Sequence, residues 1–183
     1  MFTFDKNNFN LKPSIMKLIY SVLFVSLLFA SCKPKSDFAA NQAFEKNSKT
    51  VLTYFEGVQS EKVDYSSFSK DFKSLNTWFG AKDTISLDEF KIGDRETLKN
   101  FNFKLLDSVP VFLPGVNSLT KEVDGSVRIY STWEISTEKT DSTEAKSGRL
   151  KIYESYDFDV DGKILYQQGY GDFTGLIMYL TNK

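Results

Sequence analysis

Glu154 is the residue whose surroundings suit it least. In LKIYESYDF, Leu150 to Phe158, inward and outward positions alternate, so Leu150, Ile152, Glu154, Tyr156 and Phe158 share one strand face. A carboxyl among four apolar neighbours either sits at the wet rim of a cavity or is buried with a raised pKa. Buried and protonated, it could donate a hydrogen bond to a substrate oxygen. The competing reading is an ion pair with a nearby Lys, Arg or Tyr at an open end, since ion pairs perturb carboxylates too. The chain has no histidine, which removes Ser-His-Asp and Cys-His hydrolysis and most zinc sites. It has no Walker loop and no dinucleotide glycine fingerprint, and no cofactor is expected. Asp157-x-Asp159-x-Asp161-Gly162 opens like an EF-hand calcium loop, but Gln168 stands where the bidentate Glu is needed and the flanks alternate like strands. An acidic solvated hairpin is the better reading, with no metal.

Other candidates line up around that acid. Trp78, Trp133, Tyr156 and Phe158 suit a pocket for a small hydrophobic ligand, or they are simply core. On the last strand Leu165, Gln167, Gly169 and Gly171 share a face, where small residues leave space for a cavity. Tyr166, Gln168, Tyr170 and Asp172 face the other way. That polar-aromatic surface is either a homodimer interface or a solvated sheet face.

The elements that must position these residues follow from periodicity. Gln42 to Gly57 reads as a helix, with Phe44, Val51, Leu52, Phe55 and Val58 at helical spacing and Gly57 near its end. Asp64 caps a second short helix through Phe72, with Tyr65, Phe68 and Phe72 on one face. SLNTWFG and TISLDEF read as extended segments joined by a turn. A third short helix opens at Gly93-Asp94-Arg95-Glu96, capped by Asp94. The C-terminal half alternates: Val127, Ile129, Trp133 and Ile135 against Arg128, Tyr130, Thr132 and Glu134. Asp161-Gly162 signals a tight hairpin, and a last long strand runs from Lys163 to about Tyr179. Helices first and long antiparallel strands after make an α+β domain, a curved sheet with helices on one face and a cavity between. With 17 Phe, 9 Tyr and 2 Trp the chain can bury a sizeable core. Its net charge of −1, with no basic stripe, gives no nucleic-acid footprint.

Three stretches, in order, resemble the nuclear-transport-factor-2-like superfamily in its SnoaL-like and ketosteroid-isomerase-like branches. They are the first helix with Tyr54 and the turn at Phe68 to Phe72, KIGDRETLKNF, and FDVDGKILYQQGYGDF. The resemblance covers roughly residues 42 to 180 and implies a cone-shaped curved antiparallel sheet packed against N-terminal helices. Ketosteroid isomerases pair a protonated acid with a tyrosine. Matching the hairpins implies Glu154 in the place of that acid and Tyr54 in the place of that tyrosine. The catalytic base position matches Asn76, which cannot accept a proton at neutral pH. The missing base and the absent histidine favour first a non-catalytic domain that binds a small hydrophobic ligand or a protein partner, with Asn76, Trp78, Trp133, Tyr156, Phe158 and Gln167 as the ligand-binding candidates. The alternative is an isomerase- or dehydratase-like enzyme using Glu154 and Tyr54.

The N-terminus carries location. Leu18 to Ala30 is an uncharged run behind Lys17, too short to cross a bilayer, and it ends in small residues, as a secretory signal does. Ala30-Ser31-Cys32 is similar to the end of a bacterial lipobox, and Cys32 is the chain's one cysteine. That resemblance implies diacylglyceryl transfer to the Cys32 thiol, cleavage before it, and acylation of the new amine, as by palmitate. Two or three chains on one residue anchor stably. The competing reading is an ordinary signal with a chance cysteine nearby. The expected organisation is a signal peptide over 1–31 with Met16 as a candidate start, a lipidated tether over 32–40, and one domain over 41–183. Lys33, rather than Asp, after the cysteine points toward the outer membrane of a bacterial envelope.

Overall fold

A computed structural model describes residues 37–181 apart from 78, 109 and 142. The segment expected as a signal sequence, Cys32 and Trp78 lie outside the described residues. The first helix, α1 (Asp37–Gln59), carries Val51, Tyr54, Phe55 and Val58 at three- and four-residue spacing, and all four are buried. Among the described residues it runs from Asp37, ahead of the expected Gln42. Its end is a Schellman closure: Lys62 N–H donates to the Gly57 carbonyl at 2.8 Å and Glu61 N–H to Val58 at 3.2 Å, with Glu61 at φ 56°. Gly57 is therefore not the turning residue. It lets the returning chain pass, because a Cβ there would lie 3.0 Å from the Val63 Cα.

Asp64 caps one short 3-10 turn, Tyr65–Ser67, rather than a helix reaching Phe72; Ser66 N–H donates to Asp64 Oδ1 at 2.9 Å. The chain then extends as β1 (Phe68–Leu75). Phe68 and Phe72 are both buried because a spacing of four returns to the same face in a strand as in a helix; the irregularity of β1 shows at Ser69, buried, and Lys70, exposed. Phe68 pairs with Ile164 and Lys73 with Tyr166, so extra residues of β1 bulge against their partner strand. Strand β2 is only Ile85–Ser86, and Ser86 ends it by starting α2 (Leu87–Asn100). The Ser86 hydroxyl accepts from Glu89 N–H at 3.4 Å while Ser86 N–H donates to Glu89 Oε2 at 2.9 Å, a capping box. That reciprocal pair overrides the extended reading of TISLDEF and places Asp94 inside the helix, not at its cap.

Strands β3 (Asn102–Leu105) and β4 (Val111–Val116) share one neighbour, β5 (Val123–Ser136). β3 lies on its Trp133–Ser136 end and β4 on Val123–Tyr130. β5 pairs with β6 (Ser147–Phe158) from Val127↔Tyr156 to Ser136↔Ser147. β6 turns through Asp161-Gly162 into β7 (Ile164–Tyr170), with Gly162 at φ 78°. The Asp159 carboxylate holds that turn, accepting from Asp161 N–H at 3.0 Å and Lys163 N–H at 2.9 Å. The sheet order is β2-β1-β7-β6-β5-β3, with β4 also on β5. The β1–β7 pair is parallel, so the curved sheet is mixed rather than wholly antiparallel. The last strand stops at Tyr170. Asp172 Oδ1 accepts Gly175 N–H at 3.0 Å and starts α3 (Phe173–Thr181), so Gly175 sits in a helix instead of bending a strand.

The inward face of β5 and β6 supplies Val127, Ile129, Trp133, Ile135, Leu150, Ile152 and Tyr156, and α1 packs on it. The Phe55 ring meets Trp133 edge-on, centroids 5.0 Å apart. A second aromatic group joins α1 to β1 and α2, with Tyr54–Phe68 at 5.4 Å and Phe72–Phe90 at 5.1 Å. Full burial of such a ring stabilises by roughly 1.5–3 kcal/mol. Asn47 Nδ2 ties α1 to the start of β5 by donating to the Gly125 carbonyl at 2.9 Å.

Candidate functional site

Between the sheet and the three helices lies a cavity of about 680 Å³. Tyr54 reaches it from α1, Asp94 from α2, Trp133 from β5, Glu154 from β6, and Gln167 and Gly169 from β7. Asn76 lines it just past β1, and Phe173, Leu176 and Met178 of α3 close one side. Most of the remaining wall is aliphatic or aromatic. The size and the few convergent polar groups are those of a small-molecule site.

Strand register explains how the polar groups meet. Glu154 stands opposite Gly169, and Tyr156 opposite Gln167, so Glu154 and Gln167 project inward diagonally across β6 and β7. Gly169 leaves room beside the acid: a Cβ there would meet only Glu154 Cγ, at 3.6 Å. The expected inward residue Leu165 is displaced. The ladder slips between Asp157↔Tyr166 and Phe158↔Ile164, so Leu165 is the extra residue and Ile164 takes the fully buried position. Gly171 lies past the end of β7 and does not line the cavity.

Glu154 is 9% exposed, and no basic side chain pairs with it among the described residues. Burial pushes its pKa up to about 7, partly opposed by the Tyr156 hydroxyl, which donates to Oε1 at 2.8 Å. Oε2 has no hydrogen bond among the described residues, and Glu154 lines the cavity. Tyr156 is thus corrected from a lining residue to a support: it is 0% exposed and sits behind the acid. Phe158 likewise packs against the core beyond the ladder slip and does not line the cavity. Trp133, Gln167 and Asn76 do line it, and Trp78 lies outside the described residues.

Tyr54 keeps its proton firmly. Burial raises its pKa well above the ordinary value, and the nearby Asp94 and Glu154 charges add to that. The Gln167 side chain is its polar neighbour. Gln167 is 9% exposed, and its Oε1 is buried with no hydrogen-bond partner among the described residues. Such an orphaned acceptor asks for a donor.

Asp94 was legible only as a helix cap, yet it is a second carboxyl in the same cavity. The Tyr65 hydroxyl donates to its Oδ2 at 2.7 Å, and burial raises its pKa while that bond lowers it. The capping box at Ser86 and Glu89 was the missed signal, since it starts α2 early enough to turn Asp94 inward. The acidic Asp157-x-Asp159-x-Asp161 run is divided: Asp157 pairs with Arg128 at 3.0 Å, and Asp159 holds the hairpin turn.

On the outer sheet face Tyr130, Tyr153 and Tyr170 form a row across β5, β6 and β7, with centroids 5.0 and 6.2 Å apart. Asp172, expected on that face, instead caps α3.

No family model and no curated protein matches the sequence. Solved structures do resemble the fold. A putative isomerase from Bacillus subtilis is 12% identical with a TM-score of 0.61, covering 76% of this chain and 95% of that one. A putative polyketide cyclase from a Silicibacter species is 18% identical with a TM-score of 0.55, covering 72% and 92%. A nuclear-transport-factor-2-like protein from Anabaena variabilis is 13% identical with a TM-score of 0.52, covering 77% and 94%. The fold is α+β and nuclear-transport-factor-2-like.

Proposed function

We propose that the chain is a lipid-anchored protein of the bacterial cell envelope whose domain holds a small hydrophobic ligand. The observation that carries the ligand reading is the cavity of about 680 Å³, walled by apolar side chains and furnished with the inward polar groups Glu154, Tyr54 and Gln167. Anchoring rests on Ala30-Ser31-Cys32 behind the apolar run, and the outer membrane on Lys33. Mass spectrometry of the protein purified from its native membranes tests both parts. A diacylglyceryl group on Cys32 and a co-purifying small molecule are expected. An unmodified Cys32, or membrane fractionation unchanged in Cys32→Ala, overturns the anchor. An empty protein that also fails to take up Nile red overturns the ligand.

A second reading is favoured by one observation. Glu154, Tyr54 and Asp94 share one cavity, so a proton donor faces a second carboxyl that can accept a proton where Asn76 cannot. This would be an isomerase- or dehydratase-type enzyme, in keeping with the neighbour described as a putative isomerase. It requires turnover that Glu154→Gln abolishes; stoichiometric recovery of unchanged ligand rejects it. The row of Tyr130, Tyr153 and Tyr170 is the face on which a second copy would pack.

A further inference from the structure

We propose that the ligand of this cavity is a hydrophobic amine, its ammonium group held among Glu154, Asp94 and Gln167. This rests on the reading that the cavity binds a ligand, and it narrows that ligand to one charge class.

The argument begins with the sign of the lining. Glu154 and Asp94 are the only charge-bearing side chains on the cavity wall among the described residues, and both are acids. No Lys or Arg among the described residues lines it, and two on the same helix as Asp94 are engaged elsewhere. Lys91 lies over the Tyr65 ring at 5.7 Å and pairs with Asp88, while Arg95 acts on Tyr65 from outside the lining. A helix N-terminus could offset this by attracting an anion, and Phe173 and Thr174 of α3 do reach the wall. That terminus is already answered by the Asp172 carboxylate, which accepts Gly175 N–H. An anionic amphiphile would therefore enter an apolar space with two carboxyls and no counter-charge.

The unfilled hydrogen-bond positions agree. Gln167 Oε1 is a buried acceptor without a donor among the described residues. Tyr156 occupies Glu154 Oε1 and Tyr65 occupies Asp94 Oδ2, and the second oxygen of each carboxyl has no hydrogen bond among the described residues. Both acids line the same cavity as Tyr54, on whose hydroxyl each acts electrostatically. What is missing is a compact group with several donors and a positive charge, which describes an ammonium. The Tyr54 and Trp133 rings on the same wall favour a cation as well.

Protonation sets the pH dependence. The titratable groups around Glu154 are Tyr54 from α1, Asp94 from α2 and Tyr156 on its own strand; β7 and α3 contribute Gln167, Gly169 and Thr174, which do not titrate. With Glu154 titrating near 7, amine binding strengthens as pH rises from 6 to 8, while an alcohol gains nothing over that range.

Three probes of one shape separate the outcomes: 1-adamantanamine, 1-adamantanol and adamantane-1-carboxylate, titrated into the full mature chain near pH 8. Binding is read by calorimetry and by displacement of Nile red. The amine is expected to bind at least about tenfold tighter than the alcohol, with the carboxylate weakest. Glu154→Gln should move the amine-to-alcohol ratio toward one, and Asp94→Asn should lower it as well. Binding of alcohol and Nile red without amine preference overturns this inference and leaves the ligand reading standing. Carboxylate binding as tight as the amine does the same. No binding of any probe or of Nile red overturns both.

Discussion

Replacing Glu154 by Gln should make the protein more stable, and by an amount that depends on pH. The acid's ordinary pKa is 4.5, and burial raises it to about 7 in the fold. Between those values the folded chain holds a proton that the unfolded chain has released, so stability falls as pH rises through that window. Above about pH 8 the full difference applies. Two and a half pKa units correspond to about 3 kcal/mol, the cost of keeping the carboxylate charged away from water. Glutamine carries no such cost, has nearly the same shape, and keeps an oxygen that can accept the Tyr156 hydroxyl. For a domain of this size about 3 kcal/mol is a rise in Tm of roughly 6–12 °C. Near pH 5 both proteins are neutral at this position, and the gain should shrink to about 1 kcal/mol or less. Urea unfolding of both proteins, followed by circular dichroism from pH 5 to 9, measures the difference directly. A variant less stable than the parent at pH 8 would show that a positive partner compensates the charge. A gain independent of pH would refute the titration argument while leaving the packing intact.

Tyr156→Phe removes the hydroxyl that holds Glu154 Oε1 at 2.8 Å. The loss should be about 1 kcal/mol near pH 5 and about 2 kcal/mol near pH 8, where the acceptor is charged, and equal losses at both would sink the assignment. Glu61 sits at φ 56° in the closure of α1, so Glu61→Gly should stabilise by about 0.5–1 kcal/mol in chemical unfolding, the relief of left-handed strain less the added freedom of the unfolded chain. Tyr130→Glu places a charge in the outer tyrosine row, which is about half exposed at Tyr130 and Tyr170. If a second copy packs there, sedimentation velocity should show dimer for the parent and monomer for the variant, and a monomeric parent rules the interface out.

The sheet was legible wherever a strand kept strict alternation. β5 does so from Val127 to Ser136 and β6 from Arg149 to Glu154, and Glu154 stood out because it broke the apolar side of that pattern. Three places misread for identifiable reasons. Phe68 and Phe72 read as a helix because a spacing of four shares one face in a helix and in a strand alike, and the bulge in β1 leaves Lys70 between them exposed, which breaks the strand pattern. Ser86-x-x-Glu89 is a helix start in four residues, but it lies within a stretch whose Ile85 and Phe90 suit a strand, and tertiary pairing uses only Ile85–Ser86 that way. FTGLIMYLT has no alternation, and Asp172 ahead of it was the cap that marked α3. Of the cavity lining, Glu154, Trp133 and Gln167 sit on strands whose facing could be read, while Tyr54 and Asn76 came from the family resemblance. Asp94 was missed as a cavity residue, and Tyr156 misassigned, because each depends on distances between elements that no local pattern encodes.

The parallel pairing of β1 with β7 has a consequence for how the chain must fold. Nearly the whole sheet lies in sequence between these two neighbours, so their contact is about the most distant in the domain. Such pairings cost the most loop-closure entropy and come late. During synthesis β1 emerges early and must wait, its edge and the Phe68 and Phe72 rings uncovered, until the hairpin after Phe158 supplies β7. A chain truncated before Ile164 would keep that edge open for good, and an open edge is a template for pairing with other chains. The domain is in this sense closed by its last strand. Proteolysis or premature termination near Asp161 should therefore yield aggregated material rather than a soluble remainder, and a holding chaperone has most to protect in the interval before β7 arrives.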